Sequence, residues 1–558
     1  MTFRKRVLPV AVALALSGMA QAADEPATKL PEVVVTGAQP FTPQSSYQVD
    51  LGESLRAAAR DSSSLIQAAP GAAVVRNGTQ TGIVQLRGLT GDRVNVLVDG
   101  MDITPACPNH MDPPLHYITA EGLESLEVIA GITPVSQGGD AIAGSVIAKS
   151  VAPQFGGTDK VETFGRAAAG YNGSNNGDDV LLRVGGANDK VSIAYTGERQ
   201  TGGDVESARG KVKTTGFELN RHDLTLATKA GDGALRLDLG RHESSNVGTP
   251  SLPMDMVKDD ANKYALGYAG NFSFGSVEAR VYRHEIDHLM DNFTLRGLAS
   301  GKIAPATSND TGYQANITLL QGSSTYRIGA EYLTNDFDTY SQNSTGAPAT
   351  QDTIRNGSRD RFGVYGEWES RLGSQWKTLV GLRSDTVKTD ASSIVNQGAG
   401  TAADRDAFNN SNRSFTDNNW DFTAQAKYAA DAASGYEIAF ARKTRSPNLM
   451  ERYLWTPANA SAGMADGKTY IGNLSLKPEV SHQVSVGADW HGAGWQVKPS
   501  LFYNKVNDYI QGVAGIYSAS VLKYTNIDAE LYGVDGSWKY ALTNNLGLSG
   551  IVSYVRGK

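Results

Sequence analysis

Cysteine is all but absent from this chain: Cys107 stands alone among 558 residues, so no internal disulfide can form. Long apolar runs are missing too. Beyond the extreme N-terminus nothing approaches the ~20 consecutive apolar residues of a membrane-crossing helix. Basic residues are not in excess either. The formal net charge is −7, which removes the electrostatic case for nucleic acid. Hydrophobic residues make up only 40%, whereas glycine (61) and tyrosine (23) are abundant, so the fold has to be read from patterning rather than from apolar bulk.

The exception at the N-terminus is "MTFRKRVLPVAVALALSGMAQAADE". A basic start (Arg4, Lys5, Arg6), an apolar stretch from Val7 to Leu16 and the small-residue sequence Ala20-Gln21-Ala22 predict a secretory signal over residues 1–22. The stretch is too short to span a bilayer as a helix. The mature protein is expected to begin at Ala23 and to leave the cytoplasm.

After a tail over residues 23–44, residues 45–150 read as a compact mixed α+β domain. A helix is expected from Glu53 to Ala69, and "GIVQLRGL", "RVNVLVDG", "LESLEVIAG" and "AGSVIAKS" read as short strands between Gly-rich turns. Residues 151–160 read as a linker. From residue 161 the pattern changes to segments of about ten alternating residues, among them "DDVLLRVGGA", "KVSIAYTGE", "ALRLDLGRH", "SVEARVYRH" and "HQVSVGADW". Tight turns such as "NDK" and "GDG" alternate with long polar loops at Thr201–Gly216, Val247–Lys263, Asn292–Thr311 and Asp338–Ser358. Short turns at one end and long loops at the other are expected of an outer-membrane barrel rather than a soluble sandwich. Closure also satisfies the backbone polar groups in lipid. About seventeen strands fit before Lys558. Bacterial single-chain barrels have even numbers, so residues 161–558 are expected to form an incomplete, C-terminally truncated all-β transmembrane barrel.

Within it, "HEIDHLMD" (His284–Asp291) matches the His-Glu-x-x-His pattern of zinc proteases, which requires both imidazoles on one helical face. The alternation of Val277, Ala279 and Val281 with Glu278, Arg280 and Tyr282 predicts a strand instead. Residues four apart on a strand are about 13 Å apart and cannot share one ion. No third ligand follows at metzincin spacing, so no enzyme is expected. The strand reading offers a different pair. His288 and Met290, two apart, share a face and should point into the lumen near the outer mouth, on the seventh strand. In the N-terminal domain "ACPNHMDPP" places Cys107, His110 and Met111 within five residues of a loop. A thiol, an imidazole and two thioethers form a soft set that favours copper, above all Cu(I) with Cu(II) as the alternative, over iron, magnesium or calcium. Met254 and Met256, again two apart, are candidates with His110 for a secondary capture site.

Other segments carry a resemblance. "PEVVVTG" (31–37) is a β-prone run in a Pro-, Thr- and Gln-containing tail, suited to pair with a partner's strand edge. "LRGLTGDRVNVLVDGM", "LESLEVIAGITPVSQGGDAIAGSVIAKS", "ARKTRSPNLMERY" and "GNLSLKPEVSHQVSVGADW" resemble the plug and late-barrel signatures of the TonB-dependent outer-membrane receptors. That resemblance implies a 22-stranded type of barrel around residues 45–150 as plug, with Glu32, Val33, Val34, Val35 and Thr36 in the TonB box. It further implies energised uptake through TonB and its inner-membrane complex, in an outer membrane of lipid and lipopolysaccharide. The chain departs from the family in lacking the final strands and the terminal aromatic residue. Within the family it resembles the copper receptors of the OprC and NosA group, whose Cys-x-x-x-Met and His-x-Met motifs are matched by Cys107, Met111, His288 and Met290. Copper import is the function this implies. A receptor for a ferric siderophore or another metal chelate is the alternative, and a passive porin or adhesin the remote one.

Overall fold

The computed structural model describes residues 41–558, apart from 53–54, 57–58, 60, 347–349, 459–464 and 544. The signal sequence and the TonB-box segment therefore lie outside the described residues. Seventeen strands of eleven residues or more, from Glu162–Asn172 to Leu546–Gly557, form one antiparallel wall. A three-residue strand, Thr469–Ile471, adds to it in parallel with Val521–Thr543. Tight connections such as Ala230–Gly233 and Phe272–Gly275 occupy one end. The longer connections, two of them carrying the helices Ala402–Asn409 and Leu449–Tyr453, occupy the other.

Alternation sorts side chains to the two faces. Val180, Leu182, Val184, Ile193, Leu266 and Val281 are exposed on the outside, as a lipid-facing band requires. The order of neighbours returns from the last strand to the first, but residue-by-residue pairing is found only from the first strand round to the last among the described residues. Both seam strands are exposed on both faces along nearly their whole length, and they are neighbours in a closed barrel, so the wall closes rather than standing open as the odd strand count suggested. Seventeen strands of alternating direction leave the two seam strands running the same way.

Inside the wall sits a five-stranded sheet in the order Ser46–Gln48, Leu123–Ala130, Gly144–Ser150, Val94–Val98 and Met101–Asp102. Val94–Val98 runs parallel to Gly144–Ser150. Leu86, Val96, Leu126, Val128 and Val146 are buried in its core. The plug is tied to the wall by Arg87 to Asp535 at 2.7 Å and by Gln483 to the Ile142 carbonyl at 2.8 Å.

Two expectations change. Within the region expected to be helical from Glu53 to Ala69, Leu55 and Arg56 are α-helical, and a separate short helix Ser62–Leu65 is capped by Asp61 and followed by a 3₁₀ turn at Ile66–Ala68. The long loops at Val247–Lys263, Asn292–Thr311 and Asp338–Ser358 are shorter than their polarity suggests, because Asp255–Phe272, Lys302–Gln321 and Gln351–Leu372 are strands. Above the lipid band both faces of a strand can be polar, so the apolar alternation that marks a strand fades while the ladder continues.

Candidate metal centre

The plug loop after Met101–Asp102 is folded by its own polar groups. The His110 amide donates to the Cys107 carbonyl at 2.9 Å, closing a reverse turn. Asp112 then reaches back: its carboxylate accepts the Ala106 amide at 2.7 Å, the Cys107 amide at 3.0 Å and the Tyr117 hydroxyl at 2.9 Å. Burial, and next the neighbouring Asp259 carboxylate, push the Asp112 carboxyl above its ordinary range. The Asn109 amide points at the Cys107 sulfur, 3.4 Å away.

The wall supplies the other half. The motif once compared with zinc proteases lies in the seventh strand, Gly275–Asp291. Tyr282, His284, Ile286, His288 and Met290 alternate inward along it and are buried. Glu285, the would-be protease base, sits on the opposite face, paired with Arg283 at 2.6 Å. On the sixth strand, Asp255–Phe272, Met256 faces Met290 and Asp259 faces His288. Those two residues are three apart, so strict alternation would put them on opposite faces. An irregularity between Met256 and Lys258 resets the parity and turns both inward.

Plug and wall therefore meet in one place. Cys107, Met111, Met256 and Met290 are all buried in a single cluster, walled by Phe217 and Leu252. The Cys107 sulfur lies 3.8 Å from that of Met290. His288 is fully buried, with Nδ1 held by Asp259 at 2.9 Å, while Nε2 has no hydrogen-bond partner among the described residues. The Cys107 thiol and the Asp112 carboxylate are the groups next to that imidazole. One ligand atom each from Asp112, Asp259 and His288 falls within 4.8 Å of the others. A carboxylate on one imidazole nitrogen fixes the tautomer and aims the other as a ligand. Sulfurs around a free imidazole nitrogen, backed by two buried carboxylates, suit a soft cation.

The remaining candidates are placed differently. Met254 packs at the edge of the cluster, half-buried. His110 adopts a left-handed backbone, φ +50°. Its ring is 3.8 Å from Asp92, lining a cavity with Arg359, Arg361 and Arg445. His284 packs against the Tyr117 ring, 4.8 Å between centroids. Sequence reasoning missed Asp112 and Asp259. Asp112 does follow Met111 directly, and a buried acid beside a ligand motif is the signal that could have flagged it.

Two family models match the sequence: "TonB dependent receptor-like, beta-barrel" over residues 209–558, and "TonB-dependent Receptor Plug Domain" over residues 39–145. The chain belongs to the TonB-dependent receptor family. The family's receptors are transporters of the Gram-negative outer membrane that work with TonB. No curated protein sequence matches this one. Among solved structures the receptor is similar to "Copper transporter OprC", at TM-score 0.78 and 22% identity, covering 92% of this chain and 80% of that one. It is also similar to the siderophore receptor PirA from Pseudomonas aeruginosa, at TM-score 0.67 and 16% identity, covering 93% and 86%. A third is the FrpB iron transporter from Neisseria meningitidis, at TM-score 0.70 and 15% identity, covering 92% and 80%. At these identities the likeness is one of fold.

Proposed function

We propose that this receptor imports copper, binding the ion between the plug loop and the barrel wall through Cys107, Met111, His288 and Met290. The observation that carries this reading is the buried meeting of sulfurs from two separate elements beside His288, whose Nε2 has no hydrogen-bond partner among the described residues. Cu(I) prefers thiolate and thioether ligands, and Cys107, Met111, Met256 and Met290 are buried together. The thiolate is the anionic sulfur ligand and dominates affinity. Met256, beside Met290, adds a further thioether to the same pocket. In this reading the N-terminal segment directs export, and Val33 to Val35 pair with TonB as an added strand. Cu(I) is the form favoured, with Cu(II) as the second.

Similarity in fold to siderophore receptors keeps a chelate in view, and the arginine-lined cavity beside His110 is where an anionic chelate would sit. Those arginines are already committed, however: Arg359 to Asp140, Arg361 to Asp102 at 3.0 Å, and Arg445 to Glu451 and Glu479 at 2.9 and 2.6 Å. Titration of the purified receptor with Cu(I), Zn(II) and ferric chelates separates the readings. Tight Cu(I) binding that Cys107→Ala abolishes is expected. Full copper occupancy in the Cys107→Ala protein would sink the assignment.

A further inference from the structure

Four of the eight histidines lie together on the short-turn side of the sulfur cluster, and the copper reading uses only one of them. His116, from the plug's 3₁₀ turn Pro114–Tyr117, and His242, from the fifth wall strand Gly233–Val247, are buried with ring centroids 4.8 Å apart. Register aligns Ser244, Asp259 and His288 in a row across three strands, and His242 lies two residues below Ser244 on the same face. One ligand atom from each of His116, His242 and Asp259 falls within 4.8 Å of the other two.

The hydrogen bonding inside this group is incomplete. His116 Nε2 and His242 Nε2 both lie 2.9 Å from the Ser244 hydroxyl, which can donate to one and accept from the other. His242 Nδ1 and Asp259 Oδ2 have no hydrogen-bond partner among the described residues although both are buried. Asp259 Oδ2 stands 3.9 Å from His116 Nε2. Buried polar groups left without a partner are unfavourable. One ligand atom from each of the three residues nevertheless lies close to the other two, a preorganised ligand set.

We infer that His116, His242 and Asp259 form a second metal site, for a divalent cation of the Cu(II) or Zn(II) class, adjoining the sulfur site and sharing Asp259 with it. Two imidazoles and a carboxylate with no sulfur suit a borderline ion rather than Cu(I). The inference rests on the copper reading only for the identity of the cargo. Asp259 binds His288 through one oxygen and faces His116 with the other, so the two sites are joined by a single carboxylate. The second site lies deeper, by about one two-residue step of roughly 7 Å along the wall. It is thus placed to hold a divalent ion beside the first site, with Asp259 common to both.

The test uses the full-length receptor in detergent, Cu(II) sulfate as probe, metal analysis for stoichiometry and electron paramagnetic resonance for the ligand atoms. Wild type is expected to bind two Cu(II) per chain. Cys107→Ala/Met290→Ala is expected to keep one, with nitrogen hyperfine structure from two imidazoles. Adding His242→Gln to that double variant should bring binding to zero, whereas adding His222→Ala, on the exposed outer face, should change nothing. If wild type binds a single copper that Cys107→Ala/Met290→Ala abolishes, the second site is refuted and the copper reading stands. If the double variant keeps its copper and that copper survives both His242→Gln and His116→Gln, the second site is likewise refuted. If wild type binds one copper that His242→Gln removes and Cys107→Ala does not, the second site stands and the sulfur site falls.

Discussion

Replacing Asp112, a residue outside the proposed ligand set, tests whether affinity is built into the loop's shape. Its carboxylate accepts two amides and a hydroxyl, and Ala106, Cys107 and Tyr117 are all buried. Asp112→Ala leaves those three donors without an acceptor, at about 1–3 kcal/mol each before relaxation. If the opened loop recovers half by exposure to water, roughly 3 kcal/mol remains against the closed form. Binding to the closed form is weakened by its reduced population, so Cu(I) affinity should fall about 100-fold. Asp112→Asn can keep its oxygen toward Ala106 and Tyr117 but turns an amide group toward the Cys107 amide. One lost bond at about 1.4 kcal/mol gives roughly a tenfold loss. Competition with a coloured Cu(I) chelator under reducing conditions measures both. Equal losses for the two variants would show that Asp112 acts by its charge and not as a brace. An Asp112→Ala affinity within threefold of wild type would refute both.

Met256→Ala should weaken Cu(I) binding by an amount comparable to Met290→Ala, because the two face each other across the sheet; an effect below twofold in the same titration would confine Met256 to packing. His288→Ala is expected to reduce affinity less than Cys107→Ala, and His284→Ala not at all, as read by metal content after dialysis. Val34→Pro should stop copper uptake by cells while leaving binding to purified receptor unchanged, since proline cannot donate to an added strand; parallel loss of both would contradict this separation. Arg445→Ala removes the ion-pair partner of buried Glu451 and one of the two partners of buried Glu479, which keeps Arg93. That should destabilise the loop from Ser446 to Lys477 by about 3–5 kcal/mol, seen as faster protease cleavage there; an unchanged cleavage rate would mean the loop is held by its apolar contacts.

The wall's lumen-facing half of the site was legible because period-two alternation survives along Val277, Ala279 and Val281 and carries forward to His288 and Met290. The plug half was legible by residue type, a single cysteine beside a methionine. Geometry that breaks local rules was not. The bulge after Met256 is invisible to a parity argument, and with it went both Asp259 and the place of Met256 beside Met290. His110 shares the loop's ligand-rich sequence, yet one left-handed residue turns its ring toward Asp92. His116 and His242 are 126 positions apart, from plug and wall, and no spacing rule joins them. The polar upper strands were read as loops because nothing distinguishes a strand in water from a loop when both faces are polar.

The sulfur pocket takes one wall from the plug and the other from the barrel, so it exists only while the two are docked. A ligand that binds the docked form alone stabilises it by an amount that grows with its own saturation. In the proposed reading, a cation gripped by Cys107 on one side and Met290 on the other would act as a fastener between plug and wall, and the pull needed to displace this loop would rise with occupancy. The same displacement parts the donors from each other. Mechanical work done on the plug is then thermodynamically the same quantity as the loss of affinity at the pocket, and unloading needs no separate trigger.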